Sequence, residues 1–78
     1  MSKLQIINAK KMGKLLLKLG FKEVRQKGSH IFFRHIDGRT TTVPYHTKKD
    51  LARPLIRIIL NEIQLTIDEY NDLLKELK

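Results

Sequence analysis

The chain has 78 residues and no cysteine, with sixteen Lys and Arg against eight Asp and Glu, a formal charge of +8. That length fits a single domain, residues 1–78, with a thin core that neither a disulfide nor a cysteine-based zinc site supports. All but two of the basic residues precede residue 58, where only three acids accompany them, so a polyanion is the partner such a field selects, nucleic acid first. The longest apolar run, Leu55 to Leu60, is broken by Arg57 and falls far short of the ~20 residues of a membrane span. Met1 to Asn8 lacks the apolar stretch of a secretory leader, so the expectation is a cytoplasmic protein with no membrane partner.

Asn8 is a candidate N-cap. After it Met12, Leu15, Leu16 and Leu19 recur at the spacing of one buried helical face, and Gly20 stands where a left-handed cap would end that helix. Lys10, Lys11, Lys14 and Lys18 point elsewhere, as a solvated face or as phosphate contacts. Phe21 to Gln26 alternates loosely around Val24 and predicts a first strand, with a turn at Lys27-Gly28. Ser29 to Ile36, rich in aromatic and β-branched residues, predicts the second strand. Asp37-Gly38 has the chemistry of a two-residue hairpin loop, and Arg39 to Val43 follows as the third strand, stopped by Pro44.

Tyr45 to Arg53 is a polar connection with an apolar catch at Leu51. Pro54 suits a first helical turn, and Ile56, Ile59, Leu60 and Ile63 continue it as a second amphipathic face. Thr66-Ile67-Asp68-Glu69 spells a capping box, with Leu65 and Tyr70 placed as its hydrophobic staple. A last helix then starts near Ile67, with Leu73, Leu74 and Leu77 as its stripe. The order predicts an α+β fold, α-β-β-β-α plus a C-terminal helix. Its three-stranded antiparallel sheet has helices on one face, as in double-stranded-RNA-binding domains.

A two-residue loop at Asp37-Gly38 would pair Arg34 with Thr41, Phe32 with Val43 and His30 with Tyr45. Both resulting faces are mixed, and one residue more in the turn would exchange them on one strand. Under either register His30 opens its strand beside Gly28, near the Pro44-Tyr45-His46 end of its neighbour. Such a cluster suits metal-free RNA cleavage, in which the 2′-hydroxyl is the nucleophile and a histidine moves protons. Lys27, Arg34 and Arg39 would supply charge, and the Gly28-Ser29 backbone N–H groups would bind phosphate oxygens. His46 would assist or cap a loop. By spacing alone, a histidine in this place is more often a surface or hydrogen-bonded residue than a catalyst. His35 reads as a surface strand residue, and Phe32 and Phe33 read as core. The histidine spacing gives no metal site, and no cofactor is expected.

At these residues the chain resembles the HicA family of toxins from toxin–antitoxin systems. The resemblance spans roughly residues 8 to 66. It rests on Leu19-Gly20-Phe21, on Arg25-Gln26-Lys27-Gly28-Ser29-His30, on Val43-Pro44-Tyr45-His46 and on Ile56-Arg57-Ile58-Ile59-Leu60. It implies a metal-independent mRNA interferase of double-stranded-RNA-binding-domain-like fold, with His30 as the catalytic histidine and a HicB-type antitoxin covering the active face. Pro54 departs from the family's usual glycine at the second helix, and the segment from Ile67 onward is longer than many members carry. A non-catalytic RNA-binding module using the same basic surface is the alternative, and a subunit that binds only an acidic protein is a third.

Overall fold

The computed structural model describes residues 3–46 and 49–77. The elements run α1 (Ala9–Lys18), β1 (Lys22–Lys27), β2 (His30–Arg34), β3 (Thr40–Pro44), α2 (Arg53–Glu62) and α3 (Ile67–Glu76). The strands form one antiparallel sheet in the order β1-β2-β3. This is the predicted α+β arrangement, the order of a double-stranded-RNA-binding domain with one helix added. The polar connection predicted over Tyr45 to Arg53 includes residues 47 and 48, which lie outside the described set.

Both ends of α1, the end of α2 and the start of α3 follow from local chemistry. The Asn8 side chain accepts the Lys11 N–H at 2.8 Å and starts α1. At the other end the Phe21 N–H reaches the Leu16 carbonyl at 2.9 Å and the Gly20 N–H reaches that of Leu17 at 3.1 Å. This pair of bonds is a Schellman motif, and it needs the left-handed backbone that Gly20 adopts (φ +97°). The end of α2 repeats the motif, with Leu65 N–H on the Leu60 carbonyl at 2.9 Å and Gln64 N–H on that of Asn61 at 3.2 Å. There the left-handed position is held by Gln64 at φ +58°, a side chain where glycine is usual. The predicted capping box opens α3: Thr66 Oγ1 accepts the Glu69 N–H at 3.1 Å, and Glu69 Oε1 accepts the Thr66 N–H at 2.9 Å. That backbone N–H, then the Thr66 hydroxyl, holds the Glu69 carboxyl below its ordinary value.

The core lies between the sheet and the helices. Met12, Leu15 and Leu16 of α1, Ile56, Ile59 and Leu60 of α2, and Tyr70 and Leu74 of α3 are buried with Phe21, Ile31, Phe33 and Val43. Gly13 of α1 faces the sheet, where a Cβ would meet the Phe33 ring at 3.7 Å, an ordinary packing distance. The fully buried Tyr70 donates its hydroxyl to the Gln5 carbonyl at 2.7 Å, and the Asn71 amide donates to the Lys3 carbonyl at 2.9 Å. The N-terminal stretch, anchored by buried Leu4 and Ile7, is thereby clamped to α3. Burial pushes the Tyr70 phenol up to about 12.

The β2–β3 register corrects the expected hairpin. His30 pairs with Pro44, Ile31 with Val43, Phe33 with Thr41 and Arg34 with Thr40. The loop has three residues, Ile36, Asp37 and Gly38, because the ladder closes one step earlier, where the His35 N–H donates to the Arg39 carbonyl at 2.8 Å. Gly38 takes the left-handed position (φ +100°) that ends such a loop. The Asp37 carboxylate holds the turn by accepting the Arg39 backbone N–H at 3.0 Å and its Nε–H at 2.8 Å. The Arg39 backbone N–H is the main cause of the depressed Asp37 carboxyl, aided by the Arg39 guanidinium. Ile31, Phe33, Thr41 and Val43 therefore face the helices, while His30, Phe32, Arg34, Thr40, Thr42 and Pro44 share the open face.

Candidate nucleic-acid interface and active site

The helices leave one sheet face to solvent, and β1 supplies it with charge. Lys22 pairs with Arg34, Arg25 with Phe32 and Lys27 with His30. A bulge between Glu23 and Arg25 takes Val24 out of register, so Lys22, Arg25 and Lys27 all stand on the face that carries His30. Without the bulge, strict alternation would send Arg25 to the opposite side from Lys22. The Arg25 guanidinium sits 6.0 Å above the Phe32 ring, at the outer limit of a cation–π contact.

His30 is exposed at the head of β2, directly after the Gly28-Ser29 turn. Gly28 has φ +59°, the value for the first central residue of a type II′ hairpin. The turn is Gly28-Ser29, one residue beyond the predicted Lys27-Gly28, and it makes Lys27 the cross-strand neighbour of His30. The Tyr45 N–H donates to the Ser29 carbonyl, which ties this turn to the end of β3.

The other expected residues divide. Lys27 of β1 and Arg34 of β2 stand on this face, and Gly28 and Ser29 form the turn at its His30 end. His46 is exposed two residues past Pro44, the partner of His30, and so stands at the same end of the sheet. Tyr45, expected opposite His30, is half-buried and lines the groove between α1 and the sheet with Gly13, Phe33 and Val43. Arg39 lies on the helix side, bonded to Asp37 and the Ile63 carbonyl, with its guanidinium 5.2 Å from the centre of the Phe21 ring. His35 is also turned inward, edge-on to Phe21 at 5.1 Å. Phe33 is core as expected, whereas Phe32 is on the open face. Sequence reasoning missed Lys22, Arg25 and Phe32 as site residues, and the bulge that gathers them has no local sequence mark.

Among the described residues no three His, Asp or Glu side chains converge as a metal site, and no helix is long and apolar enough to cross a membrane. The arrangement offers two exposed imidazoles, His30 and His46, at one end of a basic, partly aromatic surface. Such a surface suits a nucleic-acid strand laid along the sheet.

A small α+β domain with this order of elements and an open basic sheet falls in the double-stranded-RNA-binding-domain-like class. Residues 9–65 match the family model described as HicA toxin of bacterial toxin–antitoxin. The match covers well over half of the chain, and the protein belongs to the HicA toxin family. Its role is that of a toxin with an antitoxin as partner. A comparison with curated proteins found no match.

Proposed function

We propose that this toxin is a metal-independent endoribonuclease that cleaves mRNA and arrests translation, with His30 as its general acid/base. The observation that carries the reading is the placement of His30: exposed on the open face, beside Lys27 and next to the Gly28-Ser29 turn. In the proposed step an imidazole nitrogen takes the proton of a ribose 2′-hydroxyl. The 2′-oxygen forms a bond to the adjacent phosphorus while the bond from phosphorus to the 5′-oxygen breaks. A second proton, delivered by His30 once protonated or by His46, leaves with the 5′-oxygen. Lys27 and the turn N–H groups offset the charge that builds on the phosphate oxygens. Arg34, Arg25 and Lys22 hold the strand on either side of the scissile bond. Arg39 acts from the far side of the sheet by fixing the hairpin that carries Arg34.

The antitoxin partner is read as a HicB-type protein that covers this face, since a basic surface exposed for RNA is also the surface an acidic inhibitor has to occupy. The test is product chemistry. Cleavage by this route leaves a 2′,3′-cyclic phosphate and a 5′-hydroxyl, and a 2′-deoxy residue at the cut site blocks it. Cleavage of the 2′-deoxy substrate at the same position sinks the mechanism. Binding of RNA with no cleavage leaves a non-catalytic RNA-binding module.

A further inference from the structure

At the end of the sheet opposite His30, where the open face meets the inward-turned His35, lies a cleft of about 470 Å3, lined by Gly20, Lys22, Val24, Arg34, His35 and Ile36. That volume falls in the ~300–1,000 Å3 range of small-ligand clefts. We infer that it is a nucleobase subsite, which takes one unpaired base of the RNA strand and so selects where His30 cuts. The inference rests on the endoribonuclease reading and names a substrate contact within it.

Three features of the cleft favour a base. First, its apolar contacts are already exposed to water: Ile36 is 98% and Val24 58% solvent-exposed. Val24 reaches the cleft because the β1 bulge takes it out of register, and Ile36 because the three-residue hairpin loop lifts it off the ladder. Second, the cleft has one aromatic ring with a polar edge. The His35 ring is steadied by Phe21 and by the Asp37 N–H on its Nδ1 at 3.1 Å. Its Nε2 stands 3.1 Å from where a Cβ of Gly20 would be, so glycine there spares that edge a tight contact. Third, the rim is cationic and continuous with the site. Lys22 and Arg34 are cross-strand partners, and Arg34 lies four residues along β2 from His30, roughly 13 Å at strand rise. A strand leaving His30 along β2 crosses Phe32 under Arg25 before it reaches the cleft. Flat apolar contact, one polar ring edge and flanking cations match a base with its phosphates. The same cations and the continuity with the His30 face favour RNA over an apolar side chain of a protein partner.

The test uses the full-length chain. Short fluorescein-labelled oligoribonucleotides, each with one abasic position moved along the strand, are bound to the His30→Ala protein. One abasic position is expected to weaken binding about tenfold, the scale of losing one stacked base. Adding Val24→Ser and Ile36→Ser, both at exposed positions, is expected to abolish that position's effect, with Ile36→Ser alone giving a partial loss. Cut-site sequencing with His30 intact is expected to show a base preference beside the cut that the Val24→Ser/Ile36→Ser protein lacks. The inference is overturned if all abasic positions act alike or if the serine variants keep the same position dependence. It is also overturned if those variants keep RNA binding and cut sites but lose antitoxin binding, which would assign the cleft to the protein partner. RNA left intact by the wild type, with position-dependent binding preserved, refutes the nuclease reading and supports the subsite. Cutting with an unchanged site pattern in the serine variants refutes the subsite alone.

Discussion

The open face predicts how RNA affinity should depend on salt. Lys22, Arg25, Lys27 and Arg34 stand together on it. Each cation that neutralises a phosphate of a single strand contributes ~0.7 to the slope of log Kobs against log salt, so the face as a whole is worth a slope of about −2.8. Replacing Lys27 and Arg34 by Ala should flatten the slope by ~1.4. Lys75 is the control. It lies on α3, on the helix side of the sheet, 3.9 Å from Asp72, and its removal changes net charge without touching the face. The assay is fluorescence anisotropy of a short RNA with the His30→Ala protein over a salt series. Equal flattening by Lys75→Ala would mean that charge acts as a diffuse field, and no flattening by the double variant would mean that RNA binds elsewhere.

The remaining predictions concern stability. Gln64→Gly should stabilise the fold by about 0.5–1 kcal/mol, because a left-handed backbone costs a side-chain-bearing residue ~1–2 kcal/mol and glycine's extra chain entropy cancels part of the gain. A thermal melt should show Tm rising by ~2–8 °C, and a fall would contradict the Schellman assignment. Tyr70→Phe should cost about 1 kcal/mol by leaving the Gln5 carbonyl unpaired, as urea titration would show. Because the Tyr70 phenol is raised to about 12, its contribution is complete below the ordinary phenol value and is lost as pH climbs toward 12. In a Tyr45→Phe protein the tyrosinate absorbance should therefore appear late and together with unfolding. Thr66→Ala should cost ~1 kcal/mol through the lost cap. The depressed Glu69 carboxyl adds stability above the ordinary carboxylate range that fades as pH falls through its folded value, and the acid melt of Thr66→Ala should show a smaller such loss.

The helices were legible because their signals are local. Asn8, Gly20, Thr66 and Glu69 act within one turn of their own backbone, and the spacing of Met12, Leu15 and Leu16 or of Ile56, Ile59 and Leu60 already names the buried face. The sheet was legible as three strands but not in its faces. The Asp37 carboxylate and the left-handed Gly38 support a three-residue loop as well as the chain supports a two-residue one, and the difference moves every β3 residue by one step. The three consecutive threonines offered no apolar alternation to break the tie. Thr41 is buried because its hydroxyl donates to Glu62 at 2.8 Å, a contact across 21 residues that no local pattern announces. The same shift turned Arg39 and Tyr45 toward the helices and left Phe32 in the open. The placement of His30 near the start of β2, beside Gly28, was legible because a turn adjoins it, although the turn was expected at Lys27-Gly28 and the strand from Ser29.

The central claim is that His30 cuts RNA without a metal. It is tested most directly by incubating a long single-stranded RNA with wild-type protein or with His30→Ala, each with EDTA, and resolving the products on a gel. His30 is exposed, so the variant should fold and bind RNA as the wild type does. The account predicts fragments with the wild type and intact RNA with the variant. Equal cutting by both would remove His30 from the chemistry, and intact RNA with both, despite binding, would leave this basic sheet as a binding surface and not an active site.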